Sequence, residues 1–152
     1  MEYAKKGMVL MKLIHCADLH LDSKMETTLS KEQAKERRYE ILATFEDMVA
    51  YARQHEVEFI MIAGDLFDTR QNQQKTIKNR VLDTIIQASE ITFLYLQGNH
   101  DKDNFFQTLE QLPSNFKLFS HEWTTYTFGK VAITSIVFTK ENQDTYLDAL
   151  TL

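Results

Sequence analysis

Three short polar clusters hold the residues of this sequence best suited to chemistry: Asp18 with His20, Asp65 with Asp68, and Asn99 with His100 and Asp101. Carboxylate oxygen, amide oxygen and imidazole nitrogen together form the donor set of intermediate divalent cations such as manganese, iron or zinc. Gly64 stands directly before Asp65 and Gly98 directly before Asn99. Glycine lets the backbone turn sharply, so that the next side chain can point into a shared site. One such cluster carries little information. Three, in the order D-x-H, G-D-x-x-D and G-N-H-D, each directly behind an apolar run, carry much more.

The elements that must position these residues alternate between strand and helix. Residues 10–16 form a short apolar run that reads as a buried strand. Ser30 offers an N-cap and Gln33 completes a capping box. From there to about His55, the apolar residues Ile41, Leu42, Phe45, Met48, Val49 and Ala52 fall on one face of a helix. Residues 57–63, rich in β-branched and aromatic side chains, predict a second strand. A second helix presents Ile77, Val81, Leu82, Ile85 and Ile86 on one side, and residues 92–97 form a third strand. A short helix is expected over 105–112, ending near Pro113. Three further strands follow at 116–119, 124–128 and 131–138, with Gly129 and Lys130 as a hairpin turn. The β-α-β-α-β order predicts a parallel sheet with right-handed crossovers. Ligands of such sheets bind beyond the carboxyl ends of the strands, where all three polar clusters lie.

Bulk properties narrow the function further. The net charge of −5 excludes a simple electrostatic DNA-binder, so contact with nucleic acid requires bound cations or another domain. A single cysteine, Cys16, rules out an internal disulfide and fits a reducing cytoplasm. It lies in an apolar run and reads as a small buried hydrophobe. Residues 8–16 are too few to span a membrane and are broken by Lys12. Lys5 and Lys6 before them suit a signal peptide, but cleavage there would cut into the first motif. Residues 1–10 are therefore expected to be an N-terminal extension, with the domain spanning 11–152.

D-x-H, G-D-x-x-D and G-N-H-D together resemble the calcineurin-like metallophosphoesterases. The wording KLIHCADLHLDS from Lys12 to Ser23, with GDLFD and GNHD, resembles the SbcD-type DNA repair nucleases and their YhaO-like relatives. The resemblance runs from about Met11 to the C-terminus. It implies an α/β fold, the first half of an αββα sandwich in which a parallel βαβαβ unit is followed by antiparallel strands. It implies two divalent ions, manganese first, with iron or zinc as the other choices. Asp18 and His20 would ligate the first, Asp65 would bridge both, and Asn99 would ligate the second. His100 would act as general acid, with Asp68 holding its ring. Water activated between the cations would attack phosphate in line. The implied partners are DNA, an SbcC-like ATPase and a second copy of the protein.

The sequence departs from the family in its histidines. The family pattern calls for three more, one alone and then a His-x-His pair, whereas only His121 follows His100. His121, in a Phe-Ser-His-Glu-Trp context, reads as a loop or strand-edge residue. The expectation is therefore the N-terminal portion of a nuclease domain, inactive by itself. His15 is expected to pack at the end of the first strand. His55 closes a helix, where a partly charged ring suits the dipole. Lys35, Arg37 and Arg38 read as a solvated helix face. Lys24 and Arg70 follow the first two motifs and are weak candidates for the nucleic acid backbone. Two other readings stay open: a metallophosphoesterase acting on a small phosphomonoester or cyclic nucleotide, and a non-catalytic truncated domain.

Overall fold

The computed structural model describes residues 11–25, 28–68, 74–98 and 105–142. Its first strand, β1, is Leu13–Cys16, and the helix α1, Lys31–Gln54, follows. Ser30 starts α1 as the capping box requires. Its hydroxyl accepts from the Gln33 amide at 3.2 Å, and the Gln33 side-chain oxygen accepts from the Ser30 amide at 3.0 Å. Two of the N–H groups that a helix start leaves unpaired are thereby satisfied. At the other end His55 is the C-cap; its ring lies 4.0 Å from that of Tyr51, and its carbonyl accepts from Lys12 Nζ at 2.8 Å.

Strand β2, Phe59–Ala63, leads to α2, Lys75–Gln87, and then to β3, Thr92–Leu96. The β1, β2 and β3 strands pair in parallel, with Ile14, Ile60 and Phe93 in register. The helix predicted over 105–112 is a single 3-10 turn at Phe105–Thr108. Strand β4, Phe116–Leu118, then joins β3 in parallel, so the parallel sheet runs one strand further than the β-α-β-α-β unit. Only the next two strands, β5 (Thr124–Phe128) and β6 (Val131–Ser135), form an antiparallel hairpin.

The sheet order β1-β2-β3-β4 follows the sequence. Right-handed crossovers in a sequential sheet place their helices on one face. That face carries the main core, in which Leu42, Phe45 and Val49 of α1 and Ile77, Val81 and Ile85 of α2 meet Ile60, Ile62, Phe93 and Tyr95. Each such side chain contributes about 1.5–3 kcal/mol by leaving water. On the opposite face Phe59, Leu94 and Phe119 meet Tyr126, Phe128 and Ile133 of the hairpin. The C-terminal end of α2 is closed by Asn115, whose buried amide nitrogen lies 2.9–3.1 Å from the carbonyls of Ile85, Ala88 and Ile91.

Two apolar-face expectations are corrected. Ile86 is half exposed, because α2 turns it away from the core that Ile85 enters. His15 is exposed rather than packed; it pairs in register with Met61, opposite the helices. Among the described residues, no helix is long and apolar enough to cross a membrane.

Candidate metal centre

Strands β1 and β2 run parallel, so the loops after them emerge side by side at one edge of the sheet. The two loops are joined by backbone hydrogen bonds: Asp18 N–H to Gly64 C=O at 3.2 Å, His20 N–H to Asp65 C=O at 3.0 Å and Leu21 N–H to Leu66 C=O at 3.0 Å. Leu21, Leu66 and Phe67 point inward and are almost fully buried, which anchors both loops in the core. Phe67 stacks 6.0 Å from Phe106, and Phe106 lies 4.2 Å from Phe116, so an aromatic cluster underlies the site.

With the apolar residues of each loop turned inward, Asp18 is exposed, while Asp65 and Asp22 are buried. One ligand atom each from Asp18, His20 and Asp65 lies within 4.8 Å of the others. That spacing is on the scale of donors sharing one ion, which sit ~2.0–2.2 Å from it. Asp65 is 8% exposed, His20 is half-buried and Asp18 is exposed. All three adopt left-handed backbone conformations, with φ of 54°, 45° and 52° for Asp18, His20 and Asp65. They make up half of the six non-glycine residues with positive φ among the described residues. Asp and His visit this region more readily than most residues, but each still costs about 1 kcal/mol or more. The strain is concentrated on the side chains that could hold a cation, and the hydrogen bonds between the loops offset it.

Gly98 explains the glycine of the third motif. A Cβ there would fall inside contact distance of the Asp65 carboxylate and its backbone nitrogen, so the third loop can pass only if this position is glycine. Gly64, with φ of +90°, makes the turn into Asp65 and comes within 3.1 Å of the Gly98 Cα at its own Cβ position.

His20 has a built support. Its Nδ1 lies 2.5 Å from Asp68 Oδ1. In the tautomer that donates from Nδ1, Nε2 carries the lone pair a cation needs; carboxylate-supported histidines at metals use this arrangement. The family resemblance implies Asp68 at the ring of His100. The described imidazole at its carboxylate is that of His20, while Asn99, His100 and Arg70 lie outside the described residues. Lys24 is exposed, and its carbonyl accepts from Arg38 at 3.2 Å. Arg38, half-buried, reaches from α1 to the first loop, whereas Lys35 and Arg37 are exposed. His121 is exposed between β4 and β5.

Sequence reasoning missed Asp22 and Lys78. Both side chains are fully buried, and Lys78 Nζ lies 3.2 Å from Asp22 Oδ2. Asp22 Oδ1 accepts from the Asp68 amide at 2.6 Å. Lys78 also sits over the Phe67 ring, 5.4 Å from its centroid. The available signal was a lysine inside the apolar stripe of α2, between Ile77 and Val81.

The donor set fits divalent cations: two carboxylates and a carboxylate-supported imidazole on strained, tightly joined loops. A parallel sheet with such a cluster at its carboxyl edge defines an α/β domain with a candidate metal site. The calcineurin-like phosphoesterase family model matches residues 11–149, and the chain belongs to this family. The chain is 27% identical over 142 residues to the double-strand break repair protein MRE11 of Gallus gallus, covering 91% of this chain and 18% of that protein. It is 30% identical over 93 residues to the SbcD component of the SbcCD nuclease of Escherichia coli K12, covering 60% of this chain and 21% of that one. The chain thus spans about a fifth of these relatives' length. Among solved structures, the Pseudomonas putida nuclease MPE aligns with a TM-score of 0.45 at 18% identity, over 74% of this chain and 49% of that one.

Proposed function

We propose that this chain is the N-terminal part of a manganese-dependent DNA nuclease. It would act in the cytoplasm with an SbcC-like ATPase, as a homodimer. The observation that carries the reading is the meeting of Asp18, His20 and Asp65 at one edge of a parallel sheet, in a chain of the calcineurin-like phosphoesterase family. The names of the relatives, a double-strand break repair protein and a subunit of the SbcCD nuclease, support DNA as the substrate and a further subunit as the partner.

Asp18 and His20 would hold one cation, Asp65 would bridge two, and Asn99 would serve the second. Bound divalent ions supply Lewis acidity toward phosphate and water. They also give an acidic chain its means of approaching a polyanion. His100 gives a proton to the leaving oxygen. Asp68 belongs to the same machinery as the carboxylate that orients an imidazole.

The test compares variants of the full-length protein. Asp65→Ala is expected to lose both Mn2+ binding and hydrolysis. His100→Ala is expected to keep Mn2+ binding and lose hydrolysis by roughly a hundredfold or more, the scale of general acid catalysis. Calorimetric titration and cleavage of linear DNA give the two readouts. Loss of metal in His100→Ala would overturn this division of roles. Hydrolysis of a phosphomonoester or cyclic nucleotide in preference to DNA would overturn the substrate.

A further inference from the structure

Asp22 and Lys78 lie behind the metal centre, and neither belongs to the donor cluster. A fully buried ion pair is a poor source of stability, because two charges must leave water and an apolar pair of similar volume often does as well. Its placement suggests a different use. Among the described residues, the backbone bonds between the two loops join Asp18, His20 and Leu21 to Gly64, Asp65 and Leu66. The second loop continues to Asp68, whose carboxylate supports His20. The Asp68 amide is held by Asp22 Oδ1 at 2.6 Å, a short charge-assisted bond. Lys78 Nζ takes the other oxygen of the same carboxylate at 3.2 Å and so orients it. Lys78 is itself set by the first turns of α2 and by the Phe67 ring. The connection therefore runs from α2 through Lys78 and Asp22 to Asp68, and from Asp68 to the His20 ring.

We propose that the buried Lys78–Asp22 pair is a positioning device for the metal centre: it fixes Asp68, and through it the His20 imidazole. The proposal rests on the metal-centre reading given above. Lys78 and Asp22 touch no cation; they set the geometry of the residues that do.

The experiment separates the hydrogen bond from the burial of charge. Asp22→Leu with Lys78→Met removes both charges and the acceptor for the Asp68 amide. Asp22→Asn with Lys78→Met removes the charges but keeps an acceptor oxygen. Both double variants are expected to fold, because each removes the two paired charges together. The leucine variant is expected to melt lower than the asparagine variant, because it leaves the Asp68 amide without its acceptor. Mn2+ affinity is expected to fall ~10- to 100-fold in the leucine variant, the usual effect of losing an outer support. In the asparagine variant it is expected to return to within a few-fold of the wild type. The Asp68 amide proton, followed by NMR without metal, should be downfield and slow to exchange in the wild type and the asparagine variant only. If the leucine variant does not fold, Asp22→Ser with Lys78→Met takes its place, because the shorter hydroxyl cannot reach the Asp68 amide. Wild-type Mn2+ affinity in the leucine or serine variant, with Asp65→Ala still losing the metal, overturns the positioning role and leaves the metal centre standing. Failure of the wild type to bind Mn2+, or an Asp65→Ala variant that binds it unchanged, overturns both.

Discussion

At Cys16 the thiol faces the Met61 carbonyl at 3.5 Å, and burial raises its pKa from 9.0 to about 11. Cys16 is half-buried rather than the fully buried hydrophobe its apolar context implies, and the raised pKa keeps it a thiol, whereas the thiolate is the nucleophile. A shift of this size makes the thiolate fraction about a hundredfold smaller at pH 8 than in the unfolded chain. Alkylation of the native protein with iodoacetamide should therefore run about a hundredfold slower than in urea. The sign of the linkage follows from the same shift. The folded state holds the thiol proton more tightly, so the contribution is complete below about pH 9 and is lost as pH rises toward 11. Denaturant titrations across this window should show stability falling, and Cys16→Ala should remove that part of the slope. Native alkylation as fast as in urea would show that the thiol is accessible and activated.

At the scale of elements, α1 depends on its first turn. The reciprocal bonds between Ser30 and Gln33 start the helix, and the buried stripe from Ala34 to Ala52 docks it on the sheet. Ser30→Ala should cost about 1 kcal/mol, as the loss of an N-cap does. Gln33→Ala should cost less, since it removes only the return bond. Urea unfolding of the two variants checks the order, and an unchanged midpoint for Ser30→Ala would show that docking alone defines the helix. The two helices are also tied to each other by Arg80, which meets Glu46 through two hydrogen bonds of 2.6 and 2.9 Å. Both side chains are partly exposed, so this contact supports the packing without governing it.

At the scale of the whole molecule, ligand number is decisive. Asp18, His20 and Asp65 supply three donors among the described residues, and Asn99 would add a fourth. The 152-residue sequence contains no His-x-His pair. Affinity for first-row cations depends on ligand count and fixed geometry, so the 152-residue chain should bind Mn2+ more weakly than a longer protein that supplies further ligands. It should not turn over linear or single-stranded DNA. Nuclease assays of the two proteins side by side test this, and equal turnover would show that the chain already holds a complete ligand set.

The order of elements, the capping box at Ser30 and the three motifs behind strands were legible in the sequence. Each is written in contacts or periodicities only a few residues long. Amphipathic spacing predicted α1 well and α2 less well, because a stripe drawn from apolar residues alone admits Ile86 and passes over Lys78. Only the tertiary structure decided that β4 joins the parallel sheet, that Arg38 holds the first loop and that the Asp68 carboxylate sits at His20. It alone paired Asp22 with Lys78. These contacts join distant parts of the chain, and residue type says only that a carboxylate will seek a donor. Which donor it meets depends on two loops emerging side by side from parallel strands, and on the helix that closes over them.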